Sequence, residues 1–122
     1  DKQELRSTQG RLLHHLNDAK LPILDEYAMG KVELFTIPSG DGYDLPATWI
    51  LPPDFDKSKK YPVIFAIYSG PRASTVGNRF GRMNNHYLAQ HGIITITVDH
   101  RGSGHFGKTG TALMRPRFLS LQ

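Results

Sequence analysis

Five consecutive apolar residues, Val63-Ile-Phe-Ala-Ile67, constrain this chain more than any other feature of it. A strand with one face in water alternates polar and apolar positions, so a run with no polar residue requires cover on both faces. The run therefore predicts a central parallel strand. A second run, Ile93-Ile-Thr-Ile-Thr-Val98, is rich in β-branched residues and predicts another strand. Between them, Asn78 to Gln90 places Phe80, Met83, Tyr87 and Leu88 on one helical face, and Gly92 follows as a terminator. Strand, helix and strand make a βαβ unit, for which the expected crossover is right-handed.

Upstream, Val32 to Ile37 alternates in part, Pro38-Ser-Gly-Asp-Gly42 is dense turn chemistry, and Ala47 to Leu51 is a second β-prone run. These predict an antiparallel pair. Pro52 and Pro53 lack the N–H that a ladder needs, and Asp54 to Lys60 is charged, so the chain is expected to leave the sheet there and cross solvent. Residues 1–30 have only weak periodicity. Leu12, Leu13 and Leu16 are spaced for a short helical turn that Leu21-Pro22 breaks. The class predicted is α/β, an antiparallel hairpin leading into a parallel βαβ unit, with no internal repeat and no low-complexity segment.

A chain of 122 residues holds one compact domain and is too short for two. With 39% hydrophobic and 21% charged residues, twelve Gly and eight Pro, it has the composition of a folded protein with many turns. No stretch nears the roughly 18 apolar residues of a membrane span, and no signal-peptide pattern opens the chain. The chain begins with Asp1 rather than Met, and an earlier segment is therefore expected to be missing. The net charge of +4 is scattered: Lys57, Lys59 and Lys60 form one cluster, Arg72, Arg79 and Arg82 another. Neither interleaves with stacking aromatics on one face, which argues against a nucleic-acid partner. The absence of cysteine removes disulfides, thiolate metal sites and a cysteine nucleophile, and suits any compartment.

In open parallel sheets, ligands bind beyond the carboxyl ends of the strands. Two segments fall there: Tyr68-Ser69-Gly70-Pro71 after the first run, and Asp99-His-Arg-Gly-Ser-Gly104 after the second. Gly70 permits a sharp turn, and Tyr68 carries a phenolic donor that either edges a cleft or is buried with its hydroxyl satisfied. Asp99 and Arg101 bracket a Gly-Ser-Gly turn and are expected to pair with nearby backbone or with each other. Ser103 is a poor nucleophile candidate, because Arg101 and His105 stand where a nucleophile elbow needs glycines. The pairs His14/His15 and His100/His105 lack the further ligands a metal requires, so no metal or other cofactor is expected.

Taken in order, Trp49-Ile-Leu-Pro-Pro53, Asp56-Lys-Ser-Lys-Lys-Tyr-Pro62, Tyr68-Ser-Gly-Pro71 and Val98-Asp-His-Arg-Gly-Ser-Gly104 resemble the prolyl oligopeptidase superfamily, in its dipeptidyl peptidase IV branch. The likeness runs from about Val32 to Gly110 and fades at Met114-Arg-Pro-Arg117. It implies a partial α/β-hydrolase fold, with residues 1–30 as the exit from a β-propeller and 31–122 as the N-terminal half of a peptidase domain. The implied activity is release of N-terminal dipeptides ending in proline or alanine through an acyl-enzyme, with a peptide as substrate. A periodplasmic or extracellular setting is implied as well. The tyrosine of the family's Tyr-x-Gly-Pro motif donates to the oxyanion, and it matches Tyr68.

The resemblance also implies what the chain lacks. The family's serine sits in a Gly-Trp-Ser-Tyr-Gly-Gly elbow, followed by its aspartate and histidine, and no Gly-x-Ser-x-Gly occurs in these 122 residues. The chain is thus expected to stop before the nucleophile and to be inactive alone. Another α/β-hydrolase, such as an esterase acting on acylated sugars, and a non-catalytic interaction module are the alternatives. The unpaired apolar edge of the Val63 strand is expected to promote self-association.

Overall fold

A computed structural model describes residues 2–18, 20–68 and 70–114. Strands β1 (Lys2–Arg6) and β2 (Leu12–Asp18) pair antiparallel as a separate two-stranded sheet. The helical turn expected around Leu12, Leu13 and Leu16 is not formed. Ser7-Thr-Gln-Gly10 supplies the reason: Gly10 adopts φ +83°, the Ser7 carbonyl accepts from its N–H at 2.9 Å, and the Ser7 hydroxyl accepts from the N–H groups of Gln9 and Arg11. A closed turn plus a ladder satisfies more backbone groups than a helix too short to stand alone. Pro22–Glu26 then forms a short 3-10 helix.

Strand β3 (Lys31–Pro38) pairs with β4 (Asp44–Leu51) in unbroken register from Lys31↔Leu51 to Pro38↔Asp44, as the alternation and the intervening turn predict. Their hairpin closes through Ser39 and Tyr43, with Gly42 at φ +89°. Strand β5 (Val63–Ala66), helix α1 (Met83–Gln90) and strand β6 (Ile94–Val98) follow, and β5 and β6 are parallel neighbours. The sheet order is β3-β4-β6-β5, with β6 antiparallel to β4. A 3-10 turn at Arg101–Ser103 leads to helix α2 (Gly107–Leu113).

The parallel pairing of the Val63 run and its unpaired outer edge are therefore as expected, while the central place that its apolar sequence predicts is not reached among the described residues. Within the described residues β5 lies at the sheet edge, and Phe65 is 62% exposed. One edge is bonded to β6, while no described element covers its two faces; the apolar run specifies cover that these residues do not provide.

The helix also departs from its expected bounds and face. Gly81, at φ +92°, breaks the backbone before Met83, so Phe80 lies outside the helix. Phe80 instead stacks on His86 with centroids 4.1 Å apart, and its carbonyl meets His86 Nε2 at 2.7 Å. His86 and Ala89 are buried, whereas Met83 and Tyr87 are exposed. Gly92 ends the helix as expected: it sits at φ +74°, its N–H donates to the Ala89 carbonyl, and the Ile93 N–H donates to the Leu88 carbonyl, a Schellman arrangement.

Ala89 faces the sheet because the approach is too close for a larger residue. The core consists of Ala47, Ile50, Leu51, Val76, Ala89, Ile94 and Met114. At Gly30, an added Cβ would come within 2.7 Å of both Ala89 Cβ and Ile50 Cγ2, and within 2.9 Å of the Leu51 carbonyl oxygen. Gly30→Ala is accordingly expected to lower stability by about 1–3 kcal/mol through overpacking, read as a reduced urea midpoint at unchanged slope.

Candidate active site

Tyr68 stands two residues beyond the end of β5, and Asp99 immediately follows β6. Parallel pairing puts both at one end of the sheet. Tyr68 is 56% exposed, so the alternative of a buried, internally satisfied aromatic does not hold. Its ring lies over Gly70: a Cβ at Gly70 would come within 2.6 Å of Tyr68 Cε1 and 3.0 Å of its hydroxyl. A side chain at position 70 would have to displace this exposed ring. Ser69 lies outside the described residues, as do Arg115, Pro116 and Arg117. Beside Tyr68 opens a cavity of about 690 Å³ whose lining includes Thr75, Arg79, Arg82, Thr95 and Thr97.

Asp99 is fully buried. Its Oδ1 and Oδ2 each accept from the Thr75 N–H at 2.9 Å, Oδ1 also accepts from the Thr75 hydroxyl, and Oδ2 from the Val76 N–H at 2.9 Å. His105 Nε2 lies 2.8 Å from Oδ2, and since a carboxylate only accepts, the imidazole donates. Asp99 thus pairs with backbone, one of the two arrangements expected; it does not pair with Arg101. Arg101 forms its ion pair with Asp41 in the β3–β4 turn, and Tyr43 packs edge-on against Phe106 at 4.9 Å. These contacts fasten the hairpin tip to the segment after β6.

The remaining candidates do not converge on a reacting centre. Ser103 is completely buried and its hydroxyl has no partner among the described residues, a placement unsuited to a nucleophile. His100 turns its Nδ1 toward the Gly102 N–H at 3.1 Å. His14 and His15 lie on exposed β2, His15 being 3.5 Å from Glu4. Among the described residues, no group of three or more His, Asp or Glu side chains could hold a metal ion. No helix of the described residues is long and apolar enough to cross a membrane. The Thr75–Val76 grip on Asp99 was not anticipated from sequence: an acid at the end of a strand is visible, but its partners lie more than twenty positions away.

The sequence is 41% identical over 93 residues to an Ajellomyces capsulatus protein assigned as dipeptidyl-aminopeptidase B, covering 70% of this chain and 10% of that one. A counterpart in Uncinocarpus reesii is 41% identical over 91 residues, covering 74% of this chain and 10% of that one. Among solved structures, Porphyromonas gingivalis dipeptidyl peptidase 4 superposes with a TM-score of 0.79 at 32% identity, over 89% of this chain and 16% of that one. A Bacteroides ovatus protein assigned as a dipeptidyl aminopeptidase IV gives 0.81 at 35% identity, over 93% and 16% of the respective chains. An acylaminoacyl peptidase, at 21% identity and a TM-score of 0.66, shares the fold. No family model matches the sequence. The chain is a partial α/β-hydrolase fold. It belongs to the prolyl oligopeptidase superfamily, as a partial region similar to members of the dipeptidyl peptidase IV branch, and it spans about a tenth of the curated relatives it matches.

Burial pushes the Asp99 carboxyl up, but donation from the Thr75 hydroxyl, the Val76 and Thr75 amides and His105 together holds it below the ordinary carboxylate range. A depressed folded-state pKa means that the stability it contributes is present above the unfolded value, about 3.9, and is lost as pH falls through the folded value. Urea midpoints measured from neutral to acid pH should therefore show wild type above Asp99→Asn at neutral pH. The gap should begin to narrow as the pH drops below the unfolded value and be lost only below the folded one.

Proposed function

We propose that this chain is the oxyanion-donor part of a serine peptidase of the dipeptidyl peptidase IV type, with residues 31–122 forming the N-terminal half of its hydrolase domain and 1–30 leading in from the preceding domain. The observation that carries the reading is the placement of Tyr68: exposed, just past the end of a parallel strand, with its ring folded over Gly70 beside an open cavity. In α/β-hydrolases the loop after the corresponding strand supplies an oxyanion donor, and the phenolic hydroxyl of Tyr68 is suited to donate to the carbonyl oxygen that becomes negative in the tetrahedral intermediate. The separate β1–β2 sheet supports the division near residue 30.

The parent reaction is acyl transfer: a serine attacks the carbonyl of the peptide's second residue, Tyr68 steadies the oxyanion, the shortened peptide leaves as the protonated amine, and water then releases the dipeptide from the acyl-enzyme. The 122 residues contain no Gly-x-Ser-x-Gly, and alone they supply a donor with no oxyanion to receive it. In the peptidase joined to its nucleophile-bearing region, Tyr68→Phe should lower kcat on a Gly-Pro reporter by about 10²–10³-fold, the scale of one lost oxyanion donor. An unchanged kcat would remove the oxyanion role.

The isolated chain self-associates in this reading, because β5 presents an apolar, unpaired strand edge among the described residues. Light scattering across a dilution series should show mass above that of a single chain at the higher concentrations. A single-chain mass throughout speaks against it.

A further inference from the structure

The loop that carries Tyr68 leaves the sheet at Ala66 and enters regular structure again only at Met83. Its position depends on what ties it down, and the described ties come largely from the segment after β6. The Arg72 N–H donates to the Gly102 carbonyl at 2.7 Å, the Ser74 hydroxyl donates to the Ser103 carbonyl at 3.2 Å, and Thr75 and Val76 close on Asp99. The two segments are also in contact. Gly104, at φ +118°, lies against the loop, so that an added Cβ would stand 3.3 Å from Ser74 Oγ and 3.4 Å from the Arg72 carbonyl oxygen.

We infer that Asp99 is a positioning residue for Tyr68: by clamping Thr75 and Val76, its carboxylate sets the place of the loop that presents the phenolic hydroxyl. This rests on the reading of Tyr68 as an oxyanion donor. Asp99 itself is fully buried and touches no substrate; it acts through the loop.

The donor set selects a carboxylate. Two amides, one hydroxyl and one imidazole converge on it, and both oxygens are engaged. Asparagine has one oxygen, so its NH₂ would face at least one of these donors; a carboxylate accepts on both sides, in bonds strengthened by its charge. Arg72 shows that the loop is held rather than relaxed. It is a side-chain-bearing residue at φ +59°, a conformation that persists where surrounding contacts over-determine it. Its amide bond to Gly102 and the Asp99 clamp lie on either side of Ala73, and together they define the turn that runs back to Gly70 and Tyr68.

The experiment has two arms. In the 122-residue chain, Asp99→Asn should speed amide hydrogen exchange at Thr75 and Val76 while Ile96 and Thr97 in β6 keep their protection; unchanged exchange at Thr75 and Val76 overturns the clamp. In the complete peptidase, Asp99→Asn should lower kcat by about 10- to 100-fold, the scale of a small misplacement at a reacting centre, with little change in KM. Adding Asp99→Asn to Tyr68→Phe should cost much less than it does alone, since both act through one hydroxyl. A full, additive loss in the double variant, or a raised KM at unchanged kcat, overturns the positioning role. Thr75→Val removes only the hydroxyl bond, folds more readily, and should move kcat in the same direction by less; no change in kcat counts against the clamp. If Tyr68→Phe alone leaves kcat unchanged, the oxyanion reading fails, while the exchange arm still decides whether Asp99 holds the loop.

Discussion

Strand β6 is bonded along both edges, antiparallel to β4 and parallel to β5, and the rest of the main sheet is organised by that double pairing. Because β6 is shared, the β3–β4 hairpin and the βαβ unit become one sheet instead of two marginal pieces. Helix α1 packs on the same strands, with Ala89 brought close to Gly30 and Ile50. At the end of β6 the chain passes directly into Asp99, whose N–H donates to the Pro46 carbonyl of β4 while its side chain grips the loop after β5. One residue thereby connects the antiparallel and parallel halves at the end where ligands bind in this class of sheet.

What the sequence made legible follows from where the relevant physics is local. The β3–β4 hairpin could be read because Pro38-Ser-Gly-Asp-Gly42 is turn chemistry and flanking residues alternate; its register then follows from the turn. Gly92 could be read because a helix end needs a residue tolerant of positive φ. The helix face could not. Phe80, Met83, Tyr87 and Leu88 share a helical period, yet His86 and Ala89 face the sheet, because Gly81 delays the helix and the close approach at Gly30 admits only a small side chain. Residues 12–18 show the same limit from another side: three leucines at helical spacing became a strand once Ser7 and Gly10 closed a turn. The exposure of β5 has a related source, since an apolar run reports how much cover a strand needs and is silent on which residues give it.

At the candidate site, Tyr68 was legible because strand end, glycine and motif coincide within four residues. The bonds around Asp99 were not, because Thr75 and Val76 reach it only after a loop and a helix have folded the chain back. His105 was weighed as a metal ligand and instead donates to Asp99. Ser103, weighed as a nucleophile, is buried beside the same turn.

These observations bear on how an oxyanion donor can be built. A phenolic hydroxyl on an exposed loop contributes to catalysis only if it already lies where charge will appear, since a donor that must be reoriented gives up part of its advantage at the moment of reaction. At Tyr68 the ring lies over Gly70, where the missing side chain leaves room for it. The loop's own stiffness comes from neighbours that never meet the substrate: a buried carboxylate, a residue held at positive φ, and two backbone carbonyls of the adjoining turn. The β5 and β6 strand ends are covalently remote but laterally bonded, so a hydrogen-bonded hub on one can set the geometry of a donor on the other. The apolar faces of β5 and the preset loop then make complementary demands. The strand requires covering elements, and the hydroxyl, in the proposed role, a nucleophile brought within reach of the same carbonyl. If Tyr68 is the donor proposed above, the bonds that fix its loop are already made within these residues, before any nucleophile is brought to it.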